Sequence, residues 1–131
     1  MKKTVSILLT VFLLLAAVAM TSFALEKNAD GVYEIATADD LIAFRNEAQA
    51  HDKAILTANI DMTGKEWTPF GEIAITIDGN GYTISNLSYT STAGGNVGLL
   101  VSKLAHGGQK HEIKNLTLSN CSLTVTASNG T

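Results

Sequence analysis

Three times the chain writes asparagine, apolar, polar, apolar: Asn59-Ile60-Asp61-Met62, Asn86-Leu87-Ser88-Tyr89 and Asn115-Leu116-Thr117-Leu118. The asparagines stand 27 and then 29 residues apart, and Ile84-Ser85-Asn86-Leu87 extends the match to Ile113-Lys114-Asn115-Leu116. A period in this range marks a solenoid, whose repeats bury their apolar side chains only by stacking on one another. The expectation is that Asn59, Asn86 and Asn115 occupy the same corner of successive turns, each amide bridging to backbone or to the asparagine above. The apolar residues that follow would then share one interior. A stacked scaffold displays surface more than it hides a reaction centre.

The N-terminus reads as a leader. Lys2 and Lys3 precede an apolar run centred on Val11–Val18, and Ser22-Phe23-Ala24 offers small residues at a cleavage site. This is the layout of a signal peptide over residues 1–24, cut after Ala24. The run is shorter than the ~20 residues a membrane span needs, so no stable membrane insertion follows cleavage. The expected location is therefore secreted, extracellular or cell-surface.

The remaining 107 residues carry a net charge of −5, from seven Lys or Arg against twelve Asp or Glu. Such an acidic domain has no electrostatic reason to bind nucleic acid or an anionic membrane. Cys121 is the one cysteine, which excludes an intrachain disulfide and fits a small buried hydrophobe better than a reactive thiol.

Residues 25–53 read as an N-terminal strand and a helix. Val32-Tyr33-Glu34-Ile35 alternates, and Thr37 stands three residues ahead of Asp40, in the arrangement of a capping box. Leu41, Phe44 and Ala48 then mark one side of a helix over 38–49. A helix at this point would close the end of a strand array and cover its unpaired edges. From residue 54 to 131 the pattern is short strands and turns. Ile55, Leu56 and Ile60 form one apolar run, Ile73–Ile77 alternates, Asp78-Gly79-Asn80-Gly81 is a dense turn signal, and Thr83–Tyr89 and Val97–Val101 follow. Gly79 and Gly81 are structural positions of the repeat. The class is all-β: a short parallel β-helix with an N-terminal capping α-helix. The alternative is a small β-sandwich, in which Asp-Gly-Asn-Gly joins Ile73–Ile77 to Thr83–Tyr89 as an antiparallel hairpin.

The stretch from Tyr33 to Ser122 resembles the GLUG-motif class of bacterial secreted, repeat-built β-helix proteins. The similarity is carried by Thr37-Ala38-Asp39-Asp40-Leu41, Leu56–Met62, Trp67-Thr68-Pro69-Phe70-Gly71 and Ile77-Asp78-Gly79-Asn80-Gly81-Tyr82-Thr83-Ile84-Ser85-Asn86-Leu87. Gly98-Leu99-Leu100-Val101 stands where the naming motif ends in glycine, so Val101 departs from the pattern. The resemblance implies a right-handed parallel β-helix in an extracellular protein, and it supplies no catalytic residues.

Chemistry is sparse. His106, His111 and Glu112 match no zinc spacing, and Asp61, Asp78 and Asn80 do not make a calcium loop, so no metal or cofactor is expected. Asp39 and Asp40 suit a helix start, and the remaining acids are scattered rather than paired. The Asn-x-Ser/Thr matches at Asn86, Asn115, Asn120 and Asn129 follow from composition. Trp67, Tyr82 and Tyr89 are the candidate ligand-binding residues, through ring stacking on a sugar. The expected function is a non-catalytic surface module for adhesion or for binding an extracellular glycan or protein. The alternative is the N-terminal part of a larger polysaccharide-degrading enzyme or peptidase. The chain stops at Thr131 just after strands, which points to truncation, or to end-to-end self-association through an uncapped last rung.

Overall fold

The structure is a computed structural model and describes residues 24–103 and 110–126. The leader, His106 and Asn129 lie outside the described residues.

The chain opens with β1 (Val32–Ile35) and helix α1 (Ala38–Glu47). The capping box forms as its spacing indicates. Asp40 N–H donates to the Thr37 hydroxyl at 3.1 Å, and Thr37 N–H donates to Asp40 Oδ2 at 2.9 Å. The helix ends two residues short of the expected Gln49, because Ala48 leaves helical geometry (ψ 135) while its N–H still reaches the Phe44 carbonyl. Leu41 and Phe44 are fully buried. The Phe44 ring packs between Tyr33 (5.3 Å) and Phe70 (5.6 Å). Arg45 donates to the Thr68 carbonyl at 2.9 Å and the Pro69 carbonyl at 3.3 Å.

Three passes of strands follow: β2 (Lys53–Leu56) and β3 (Ile60–Asp61); β4 (Thr76–Asp78), β5 (Thr83–Ser85) and β6 (Ser88–Ser91); β7 (Glu112–Lys114), β8 (Thr117–Ser119) and β9 (Ser122–Val125). They assemble into sheets of order β1-β2-β4-β7, β3-β5-β8 and β6-β9, and every strand ladder is parallel. Apart from β1 and β2, which α1 separates, strands adjacent in sequence do not pair. Each strand pairs with its counterpart one pass later, and the corners between sheets supply the crossover that parallel pairing requires.

Among the described residues the fold is β-rich, with parallel sheets and one short helix. The hairpin of the alternative reading does not form: β4 and β5 lie in different sheets. The single run from Ile55 to Ile60 is split between two sheets. Ile73–Ile77 is also not one alternating strand, since the strand begins at Thr76 and both Ala74 and Ile75 are buried. Val97–Val101 contributes only a parallel bridge from Val101 to Phe70.

The asparagine register differs from the one expected. Asn86 does not stack on Asn59 or Asn115; its partner is Asn120, whose side-chain amide donates to Asn86 Oδ1 across 34 residues. Asn86 in turn donates to Asp61 Oδ1 at 2.8 Å. Asn115 serves another corner, where it donates to Asp78 Oδ1 at 3.1 Å, and Asn59 accepts from Thr83 N–H at 3.0 Å. The cause is backbone conformation. Asn80, Asn86, Asn115 and Asn120 all adopt positive φ, between 49° and 58°, which asparagine tolerates better than other side-chain-bearing residues. Asparagine thus marks more than one kind of corner rather than one recurring corner.

The core runs along the inside of these sheets. Ile35, Leu56, Ile60, Ile75, Ile77, Ile84 and Leu87 are at most 1% exposed. In the last pass that protection ends. Ile113 and Leu118, in register with buried Ile77 and Ile84, are each 40% exposed.

Candidate functional site

Beside Trp67 and Tyr89 lies an open cleft of about 490 Å³ between residues 65–68 and β6. Lys65, Glu66, Trp67 and Thr68 form one wall; Ser88, Tyr89 and Thr90 form the other. The strand wall follows from period-2 geometry. Ser88 and Thr90 are exposed on β6, Tyr89 between them is half-buried against the core, and Ser91 is buried.

The other wall has no strand to hold it, so side chains do so. The Trp67 indole N–H donates to the Leu99 carbonyl at 2.7 Å, and its ring meets Phe70 edge-on at 5.9 Å and 71°. Arg45 grips the carbonyls of Thr68 and Pro69 from the helix side. Lys65 Nζ pairs with Asp39 Oδ1 at 2.7 Å, tying the rim of the cleft to the first turn of α1. An exposed pair of this kind contributes little energy, but it orients the ammonium group.

Of the three aromatic candidates, Trp67 and Tyr89 line this cleft and Tyr82 does not. Trp67 is only 7% exposed and belongs to the core, so little of its ring is open to the cleft. Tyr82 is half-buried in the corner after Gly79, where its N–H donates to the Gly79 carbonyl at 2.7 Å. The sequence reading missed Lys65, Glu66, Thr68, Ser88 and Thr90. Alternation along β6 would have placed Ser88 and Thr90 on an outer face. Nothing local signals that residues 65–68 lie beside them.

The cleft offers hydroxyls, an ammonium, a carboxylate and aromatic edges, the groups that exchange hydrogen bonds with a polyhydroxylated ligand. Its lining contains one carboxylate, Glu66, whereas glycoside hydrolysis ordinarily uses two.

The other polar features are built into corners. The Thr63 hydroxyl, the Asn86 amide and the Thr63 backbone N–H hold the Asp61 carboxyl down to about 2. The Asn115 amide and the Asn80 N–H likewise lower Asp78. Asp52, 8% exposed, is desolvated by burial, yet the Lys27 ammonium at 2.7 Å and the Gln49 N–H at 2.8 Å outweigh that and lower its pKa. His111 bridges two segments, accepting from Ile75 N–H at Nδ1 (3.4 Å) and meeting the Lys103 carbonyl at Nε2 (3.2 Å). Cys121 is a free, half-buried thiol packed against the core, with Sγ 3.3 Å from the Ser119 carbonyl oxygen. Among the described residues, no cluster of three or more His, Cys, Asp or Glu side chains could hold a metal ion. Among them, too, no helix is long and apolar enough to cross a membrane.

The chain is similar to halomucin from Haloquadratum walsbyi, 37% identical over 112 residues that cover 74% of this chain. It spans 1% of the length of halomucin. No family model and no solved structure matches the chain.

Proposed function

We propose that this chain is a secreted or cell-surface, non-catalytic module that binds an extracellular glycan in the cleft between residues 65–68 and β6. Its parallel passes form a short right-handed β-helix of the GLUG-motif type, with α1 as the cap of its N-terminal end. The observation that carries the binding assignment is the cleft itself. Exposed hydroxyls of Ser88 and Thr90 face the Lys65–Thr68 wall, with Tyr89 between them. That wall is held by Trp67 and Arg45 through hydrogen bonds the ligand need not supply, so little ordering cost attends binding. Similarity confined to 1% of halomucin supports a module used within long chains. The leading lysines and apolar run of residues 1–24 support export.

A glycan array probed with the purified chain tests the assignment. Trp67→Ala is unsuitable because Trp67 belongs to the core, so the comparison is with Glu66→Gln and Thr90→Val, whose side chains face the cleft. Binding to a restricted glycan class, weakened about tenfold by loss of one or two hydrogen bonds, supports the reading. Negligible signal for the unaltered chain, or equal binding by all three proteins, removes it.

A further inference from the structure

We propose that the cleft between residues 65–68 and β6 selects glycans whose sugars carry a free ammonium group, such as a chain of glucosamine residues, and that Glu66 sets this preference. The inference rests on the glycan assignment and narrows it to one chemical class.

The cleft lining holds two charged side chains, Lys65 and Glu66, and they are not equally available. The Lys65 ammonium lies 2.7 Å from Asp39 Oδ1, so an anionic ligand would have to displace that carboxylate. Glu66 is exposed and makes no ion pair among the described residues. Asp78 is the contrast. It lines a smaller hollow on the first sheet, but its carboxylate already accepts from the Asn115 amide at 3.1 Å and the Asn80 N–H at 2.9 Å. Arg45 does not answer Glu66 from within the cleft either: it is absent from the lining and donates to the Thr68 and Pro69 carbonyls. The opposite wall is uncharged, and Ser88 and Thr90 are exposed on it. The cleft therefore leaves one negative charge unanswered, across from a pair of hydroxyls.

A pyranose with an ammonium beside its ring hydroxyls matches both walls at once. An ammonium group is donor-only and a carboxylate acceptor-only, so the two form a charge-assisted hydrogen bond. The sugar hydroxyls both donate and accept, as do those of Ser88 and Thr90. The chain makes the same charged pair internally, where Asp52 holds the Lys27 ammonium at 2.7 Å. An N-acetylated sugar would offer Glu66 only a neutral amide N–H, and a uronic acid would set a second carboxylate against it. The wider field acts in the same sense. A net charge of −5 over residues 25–131 draws a polycation towards the chain and repels a polyanion.

Trp67 is the one tryptophan of the chain and lines the cleft, so its fluorescence reports occupancy. The purified chain is titrated at low ionic strength with a glucosamine hexasaccharide and with the N-acetylglucosamine hexasaccharide of equal length. The glucosamine chain is expected to bind about fivefold tighter, the scale of one exposed ion pair. That ratio falls towards one at high salt and in Glu66→Gln, whose circular dichroism stays that of the unaltered chain. Equal or tighter binding of the N-acetylated chain overturns the proposal, as does a ratio that survives Glu66→Gln. A lysine hexapeptide that binds as tightly as the glucosamine chain also overturns it, because charge alone would then account for binding. Silence from both hexasaccharides removes the amino-sugar class; the glycan assignment survives that result if other sugars on the array bind, and falls with it if the array is silent too.

Discussion

Replacing Gly79 with alanine probes the stacking of one pass on the next at its tightest point. A β-carbon at this position would lie 2.5 Å from the Asn115 carbonyl oxygen, 2.5 Å from Leu116 Cα and 2.7 Å from Leu116 Cβ. Carbon atoms rest at about 3.5–4.0 Å, so the corner at Asn115 must retreat by about 1 Å. That retreat stretches two hydrogen bonds made there, Gly79 N–H to the Lys114 carbonyl (2.8 Å) and Gly81 N–H to the Asn115 carbonyl (2.9 Å). Overpacking costs about 1–3 kcal/mol and each of the two net hydrogen bonds about 0.5–1.5 kcal/mol, which together give a loss of about 2–6 kcal/mol. Two other glycines calibrate the measurement. Gly81 has φ +81 and nothing within 4 Å of its missing β-carbon, so Gly81→Ala bears only the left-handed penalty of about 1–2 kcal/mol. Gly71 has open space and no left-handed φ, so Gly71→Ala is neutral or stabilising by up to about 1 kcal/mol. Urea unfolding at constant m reads all three as midpoint shifts. A Gly79→Ala loss within about 0.5 kcal/mol of zero, or smaller than that of Gly81→Ala, would refute the close approach of residues 79 and 115–116 and the register built on it.

Further outcomes follow from the corners and the core. Asn86→Ala is expected to raise the Asp61 pKa from about 2 towards its ordinary 3.8, measured by NMR titration of the carboxyl carbon. Because folding depresses this pKa, its stabilising contribution is full above the unfolded value and is lost as pH falls through about 2. Asp52→Ala leaves the Gln49 N–H without its acceptor and should cost about 1–3 kcal/mol in thermal or urea unfolding. Asp52 also adds stability above its unfolded pKa that is lost as acid carries the pH through the lowered folded value. Trp67→Ala should cost about 3–5 kcal/mol by leaving a cavity beside Phe70, with Trp67→Phe losing less because it keeps most of the ring volume.

The sequence made the class readable and concealed the register. The alternation of Val32–Ile35, the capping box at Thr37 and Asp40, and the turn at 78–81 correspond to what forms, whereas the alternation of Ile73–Ile77 does not. The repeat was aligned at the wrong offset, since one conformational need, a residue tolerant of positive φ, puts asparagine at two kinds of corner. A longer match carries the true pairing: Thr83-Ile84-Ser85-Asn86-Leu87-Ser88 against Thr117-Leu118-Ser119-Asn120-Cys121-Ser122, with Thr83 opposite Thr117 and Asn86 opposite Asn120. Unequal corners hid it. Four residues separate β4 from β5, but two separate β7 from β8, so no fixed period describes both. At the site, Trp67 and Tyr89 were visible as aromatics. Burial of Trp67 goes with its bond to the Leu99 carbonyl, 32 residues away, and no local pattern encodes that partner.

Helix α1 packs against β1 at the head of the strand array, and this gives the assembly a direction. A ribosome releases this end first, so Phe44, Leu41 and β1 can be in place before residues 112–125 exist. Each later pass then meets a ready-made row of hydrogen-bonding partners, as monomers meet the tip of a growing crystal. Lengthening the chain by whole passes would leave the cleft between Trp67 and Tyr89 untouched, so the length of the array could vary without rebuilding that cleft.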